Sequence, residues 1–155
     1  MTSVFWLKAG IFALWGTLLA AIDLKTFRLP HALTLPLGVT GFLLSFVPGN
    51  GLTPGESFLG IVSGLLPLGL LAWKRPAAYG FGDAVFAGAI GSFAGAAGLG
   101  LALVLGRIGA LVFFRIRKDR GLLPFGPFLA SGGLAGLFVE ESVRHVSHYL
   151  ICYGN

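Results

Sequence analysis

Two aspartates are the residues of this sequence whose surroundings could support catalysis. Asp83 follows Gly80-Phe81-Gly82 and opens a long apolar run, and Asp23 ends the first apolar run of the chain. If these runs lie in a membrane, both carboxylates lie where the chain passes between water and lipid. An ionisable group at such a place is costly unless it has a partner or a function. The simpler interpretations are that Asp83 caps a helix and that Asp23 forms a weak exposed ion pair.

Two carboxyl groups that approach each other can share one proton. One group then activates a water molecule while the other protonates the carbonyl oxygen under attack, which is the chemistry of aspartic proteases. Gly80 and Gly82 would let the backbone before Asp83 turn sharply and approach a neighbour closely. Whether Asp23 and Asp83 meet depends on the elements that carry them.

The composition is that of an integral membrane protein. Hydrophobic residues make up 55% of the 155 residues and charged residues only 11%, whereas about a quarter of an average soluble domain is charged. The mean hydropathy is +0.87, and the 25 glycines suit the close packing of membrane helices through small residues. We therefore predict an all-α polytopic membrane protein that forms one domain over residues 1–155.

Six apolar segments predict about six transmembrane helices. The stretch after Asp83 is divided by Gly95-Ala96-Ala97-Gly98, which we interpret as a tight turn. Several segments are shorter than the roughly 20 residues that a span needs. The segments cover residues 4–22, 32–47, 57–73, 84–95, 99–114 and 125–139.

The basic residues are distributed unequally between the two sides that six spans would create. Only Lys8 and Arg144 lie on the side of the termini, whereas eight basic residues lie in the three opposite loops. Because basic loops tend to remain in the cytoplasm, we predict that Asp23 and Asp83 share the cytoplasmic boundary. The net charge of +5 is thus a signal of orientation, and no nucleic-acid partner is predicted. The eight residues are Lys25, Arg28, Lys74, Arg75, Arg115, Arg117, Lys118 and Arg120.

Three blocks of the sequence resemble one known family. The first block holds Asp23 and, after it, Leu29-Pro30-His31-Ala32-Leu33-Thr34; the second is Gly80-Phe81-Gly82-Asp83 with the small-residue run behind it. The third is Leu123-Pro124-Phe125-Gly126-Pro127-Phe128. In this order they resemble the type IV prepilin peptidases, GxGD-type aspartyl proteases of the bacterial inner membrane.

The resemblance implies an aspartic endopeptidase without a cofactor. Its substrate would be a prepilin or pseudopilin precursor, cut after a glycine that ends a short basic leader and precedes an apolar helix. Asp23 and Asp83 match the catalytic pair of the family. The positions that match substrate-binding or loop-positioning residues are Gly80, Gly82, Pro30 and His31.

The sequence departs from the family pattern at two positions and in one region. His31 stands where the family usually has Asn, and Val85 stands where it usually has Lys. The paired cysteine motifs of the larger, methylating members are absent, so methyltransferase activity is not implied. An altered activity or a specialised substrate is therefore left open.

Several alternatives remain at this stage. A catalytically silent relative would act as a membrane scaffold for pilus or secretion assembly, and a small transporter or channel subunit would use Asp23, Asp83 and Arg107 as intramembrane charges. We expect Arg107 to be buried inside the bundle. Glu141, His145 and His148 recur at helical spacing without a fourth ligand, so no metal site is predicted. A homo-oligomer is compatible with the sequence.

Overall fold

The protein is built from α-helices. The computed structural model describes residues 2–75, 80–116 and 125–153, and every regular element within them is helical. The predicted all-α class is therefore confirmed. The five helices are α1 (Ser3–Thr26), α2 (His31–Leu44), α3 (Pro54–Lys74), α4 (Phe81–Ile116) and α5 (Gly126–Tyr153).

Three of the described helices, α1, α3 and α4, are long and apolar enough to cross a membrane. Helix α2 is also apolar, but it has only 14 residues. The chain is therefore a multi-pass membrane protein. The predicted number of six spans goes beyond what these helices establish.

Gly95 reverses the direction of the chain within α4. Its φ of 66° and ψ of −177° are not helical, and this positive φ is accessible mainly to glycine. The break separates residues 81–94 from residues 96–116, at the place where the sequence predicts a turn. The second half then packs antiparallel to α5 and returns to the end of the bundle at which α5 begins. Its contacts pair Gly98 with Gly136 and Gly106 with Phe128.

The first half of α4 lies at the centre of the bundle. Its residues from Phe86 to Gly95 are buried, and α3 packs against them so closely that side chains at the contact would collide. A Cβ atom on Gly60 would overlap the Gly91 carbonyl, and one on Gly64 would overlap the backbone of Ala87. Membrane helices lack a hydrophobic driving force for association, so this backbone proximity supplies the packing.

Helix α5 continues beyond the predicted end of its segment at residue 139. The sequence places that end before two glutamates, because consecutive charges are costly inside a span. In the structure the helix runs on to Tyr153. Glu140 contacts Arg144 and Glu141 contacts His145, both one turn further along, and such pairs support a helix outside the apolar region.

Candidate active site

Asp23 lies in the last turn of α1, which ends where Phe27 adopts a left-handed conformation with φ 52°. The residue is only 4% exposed. Its Oδ2 accepts a hydrogen bond of 2.8 Å from the backbone N–H of Gly126, the first residue of α5. A free N–H at a helix start favours a negative charge, so the beginning of α5 holds this carboxylate in place.

Gly126 is required by this arrangement. A Cβ atom at this position would lie 2.9 Å from Oδ2 and 3.0 Å from the Cβ of Asp23. Any larger residue would therefore push the carboxylate away from its donor. Gly126 belongs to the third sequence block, but it was not among the predicted site residues. The sequence signal was a glycine between two prolines at the start of an apolar run.

Asp83 lies in the first turn of α4 and is half-buried. Its carboxylate accepts a hydrogen bond from the Gly80 backbone, and its own backbone N–H donates to the Gly80 carbonyl over 3.1 Å. A Cβ atom on Gly80 would lie 3.3 Å from Oδ2 of Asp83. The backbone of Gly80, directly before the helix, therefore packs closely against the Asp83 carboxylate.

The two aspartates lie near each other at one end of the bundle. The Asp23 carboxylate acts electrostatically on Asp83 across the ends of α1 and α4. One carboxylate is buried and the other is half-buried, so their interaction is screened less than it would be in bulk water. Two carboxyl groups that approach closely enough can share one proton and activate a water molecule.

The segment between α1 and α2 positions the start of α4. A Cβ atom on Gly82 would lie 2.9 Å from the Leu29 carbonyl oxygen, so glycine at this position permits the close approach. The His31 and Phe81 rings pack edge to face, with 6.0 Å between their centroids. Pro30 precedes α2, and its carbonyl accepts hydrogen bonds from the helix that follows. These contacts favour a loop-positioning role for Gly82, Pro30 and His31.

A second group of charged side chains lies at the opposite end of the bundle. Arg144 of α5 donates to the Glu56 carboxylate at 2.8 Å, to Glu140 at 3.1 Å and to the Gly51 carbonyl at 2.7 Å. We call these four residues the Arg144 cluster. Beside it, Lys8 is only 4% exposed and interacts electrostatically with Glu141. This assembly of residues from distant parts of the chain was not predicted from the sequence.

Two further expectations concern metal ligands and Arg107. Within the described residues, no group of three or more His, Cys, Asp or Glu side chains is arranged to hold a metal ion; the side chains of His148 and Cys152 lie outside that part. The burial predicted for Arg107 was wrong. The residue lies on the exposed side of the second half of α4, because only one side of this half packs against α5.

Comparisons with known proteins agree on one family. The profile of the Type IV leader peptidase family matches residues 10–115, a range that contains both aspartates. A prepilin leader peptidase/N-methyltransferase of Pectobacterium carotovorum subsp. carotovorum is 32% identical over 90% of this chain and 58% of its own length. A type 4 prepilin-like proteins leader peptide-processing enzyme of Escherichia coli O78:H11 is 27% identical over 90% of this chain and 56% of its own length.

A third relative extends the same pattern. A prepilin leader peptidase/N-methyltransferase of Aeromonas hydrophila is 31% identical over 83% of this chain and 52% of its own length. The chain thus spans about half the length of these relatives. No solved structure gave a significant match. The matched profile covers more than half of the sequence, and the chain therefore belongs to the type IV leader peptidase family.

Proposed function

We propose that this chain is a membrane aspartic endopeptidase whose catalytic pair is Asp23 and Asp83. The proposal is carried by the position of two carboxylates from different helices, α1 and α4, near each other at one end of the bundle. The fixed position of Asp23 at the start of α5 supports it further, because a catalytic group needs a defined geometry.

The proposed reaction uses one water molecule and one proton shared by the two carboxyl groups. The ionised group takes a proton from the water as the water oxygen attacks the scissile carbonyl carbon. The protonated group gives its proton to the carbonyl oxygen. The tetrahedral intermediate then collapses and the C–N bond breaks. The leaving nitrogen takes the proton that the first carboxyl group had accepted from water, and one hydroxyl of the intermediate returns its proton to the second carboxylate. The products are a carboxyl terminus on the leader and a free amine on the mature protein.

The proposed substrate is a prepilin or pseudopilin precursor, by analogy with the relatives named above. In this proposal its leader is short and basic, and an apolar helix follows the cleaved bond. We further propose six spans: α1, α2, α3, the two halves of α4, and the apolar part of α5. The reversal at Gly95 supports this count. The eight basic residues on one side would then place the aspartates at the cytoplasmic face.

The proposal is tested by conversion of a pilin-like precursor in membranes that contain the purified chain or a variant of it. We expect Asp23→Asn and Asp83→Asn each to abolish cleavage, because an amide can neither take nor share the proton. Both variants should insert and fold, since Asn keeps the shape of Asp and can still cap a helix. The control is Glu140→Gln, which removes a carboxylate at the opposite end and should leave cleavage unchanged. Substantial cleavage by either aspartate variant contradicts the mechanism.

A further inference from the structure

An apolar groove runs along the bundle beside the first half of α4. It lies between α2 and α3, with α4 as its floor, and encloses about 360 Å³. Its walls are almost wholly apolar. Large hydrophobic side chains on its rim, such as Val39 and Phe58, are each 57% exposed. The main lining residues are Val39 and Phe42 of α2, Phe58 and Leu65 of α3, and Val85 and Ala89 of α4.

Glycines keep this groove open at its floor. Gly38 of α2 lies against Ala89, where a Cβ atom would be 3.6 Å from the neighbouring Cα and Cβ atoms. Gly88 of α4 lies against α3, where a Cβ atom would be 3.5 Å from the Cβ of Leu65. Both glycines line the groove. Because neither glycine has a side chain, α2 and α3 approach α4 closely at the floor of the groove. Space remains between α2 and α3 at its open side.

The groove begins beside the candidate catalytic pair. Val85 follows Asp83 by two residues, a rise of about 3 Å, and Ala89 follows it by six residues, about 9 Å. Helix α2 starts at the same end, since His31 contacts Phe81. The groove therefore extends from Asp83 away from that end for roughly two helical turns.

The lining restricts what can occupy the groove. The walls offer almost no hydrogen-bond partner, so an extended peptide would leave its backbone groups unsatisfied. An apolar helix satisfies its own backbone and can place side chains of successive turns between helix walls. A lipid acyl chain is equally apolar. However, its phosphate headgroup would then approach two carboxylates, and like charges repel.

The charge at the open end favours a helix that enters with its N-terminus first. The first N–H groups of a helix are unpaired and carry a positive partial charge. This positive partial charge would complement the negative charge of the Asp83 and Asp23 carboxylates. We propose that the groove between α2, α3 and α4 binds the first two turns of the apolar helix that follows the scissile bond of the precursor. This inference rests on the proposed function and adds a binding site for the mature part of the substrate.

Photo-crosslinking tests the occupant directly. A benzophenone amino acid is placed at Val39, which lines the groove, or at Leu43 of the same helix, which is 61% exposed and does not line it. Both probes are made in Asp83→Asn, so that intact precursor accumulates. We expect crosslinks to the precursor from position 39 and none above background from position 43. Equal crosslinking from both positions, or crosslinks from position 39 to lipid alone, overturns the proposal.

A cleavage experiment separates this proposal from the proposed function. Val39→Trp fills the groove, whereas Leu43→Trp adds the same bulk outside it, and neither position belongs to the buried core. We expect Val39→Trp to lower kcat/KM for the precursor by about tenfold or more and Leu43→Trp to leave it unchanged. If the unmodified chain cleaves the precursor and both variants match it, only the groove proposal fails. If the unmodified chain cleaves no precursor, the proposed function fails and the groove proposal falls with it.

Discussion

One backbone N–H determines where the Asp23 carboxylate lies. This N–H belongs to Gly126, more than 100 residues away along the chain, and its nitrogen lies 2.8 Å from Oδ2 of Asp23. The two aspartates could be selected from the sequence because the chain has only six acidic residues, and these two share one predicted membrane boundary on separate helices. Their partner could not, because a backbone donor leaves no side-chain signature. The predicted burial of Arg107 was wrong for a related reason. The position of Arg107 along the helix can be read from the sequence, but the side of the helix that packs against its neighbours cannot.

Substitution of Gly126 by alanine tests this contact. The new Cβ atom would lie about 3 Å from the Asp23 carboxyl group, so the carboxylate must move away from its donor. We expect Gly126→Ala to reduce cleavage of the precursor by about 100-fold, the scale of loss that a displacement of about 1 Å can cause. The control is Gly55→Ala in α3, where a Cβ atom meets nothing within 4 Å. A Gly126→Ala protein that inserts normally and cleaves at the original rate would show that Asp23 needs no such support.

At the scale of elements, the apolar runs predicted the helices well because burial in lipid demands continuous apolar sequence. The turn at Gly95 was also predicted, since glycines cluster there. For α5, the sequence predicted an apolar segment that ends at residue 139 and a helical spacing of Glu141, His145 and His148 beyond it, but not one continuous helix to Tyr153. Its outer half is polar and is stabilised by contacts with other elements, notably the ion pair between Arg144 and Glu56 at the start of α3. Glu56 also completes a capping box with Thr53, so Arg144 connects α5 to a well-formed helix start.

Loss of Arg144 should loosen the junction between α3 and α5 without affecting the distant aspartates. Arg144→Leu removes two ion pairs and the bond to the Gly51 carbonyl. Because the side chains are partly exposed, we expect a loss of about 1–2 kcal/mol in the free energy of unfolding. The measurement is thermal unfolding in detergent, with Lys74→Leu, at the opposite end of α3, as the control. Cleavage per folded molecule should stay constant. An unchanged melting temperature would mean that the cluster contributes nothing.

The whole molecule has two chemically different ends. One carries Asp23 and Asp83 together with the ends of α1, α3 and α4. Five basic residues are exposed there: Lys25, Arg28, Lys74, Arg75 and Arg115. The other carries the Arg144 cluster. Arg117, Lys118 and Arg120, which complete the basic set in the sequence, lie outside the described residues. The unequal distribution of basic residues between the two ends still sets the expected orientation, because basic segments resist transfer across the membrane.

Cysteine labelling in whole cells tests this orientation. In a Cys152→Ser background, single cysteines replace Arg28, which is exposed between α1 and α2, or Phe46, which is 61% exposed between α2 and α3. These positions lie at opposite ends of α2. If the basic end faces the cytoplasm, an impermeant thiol reagent added from outside should label position 46 and leave position 28 unlabelled until the cells are opened. The reverse pattern would place the two aspartates outside and contradict cleavage of a leader at the cytoplasmic face. Labelling at both positions in intact cells would mean that α2 does not span the membrane, and the six-span topology would then be wrong.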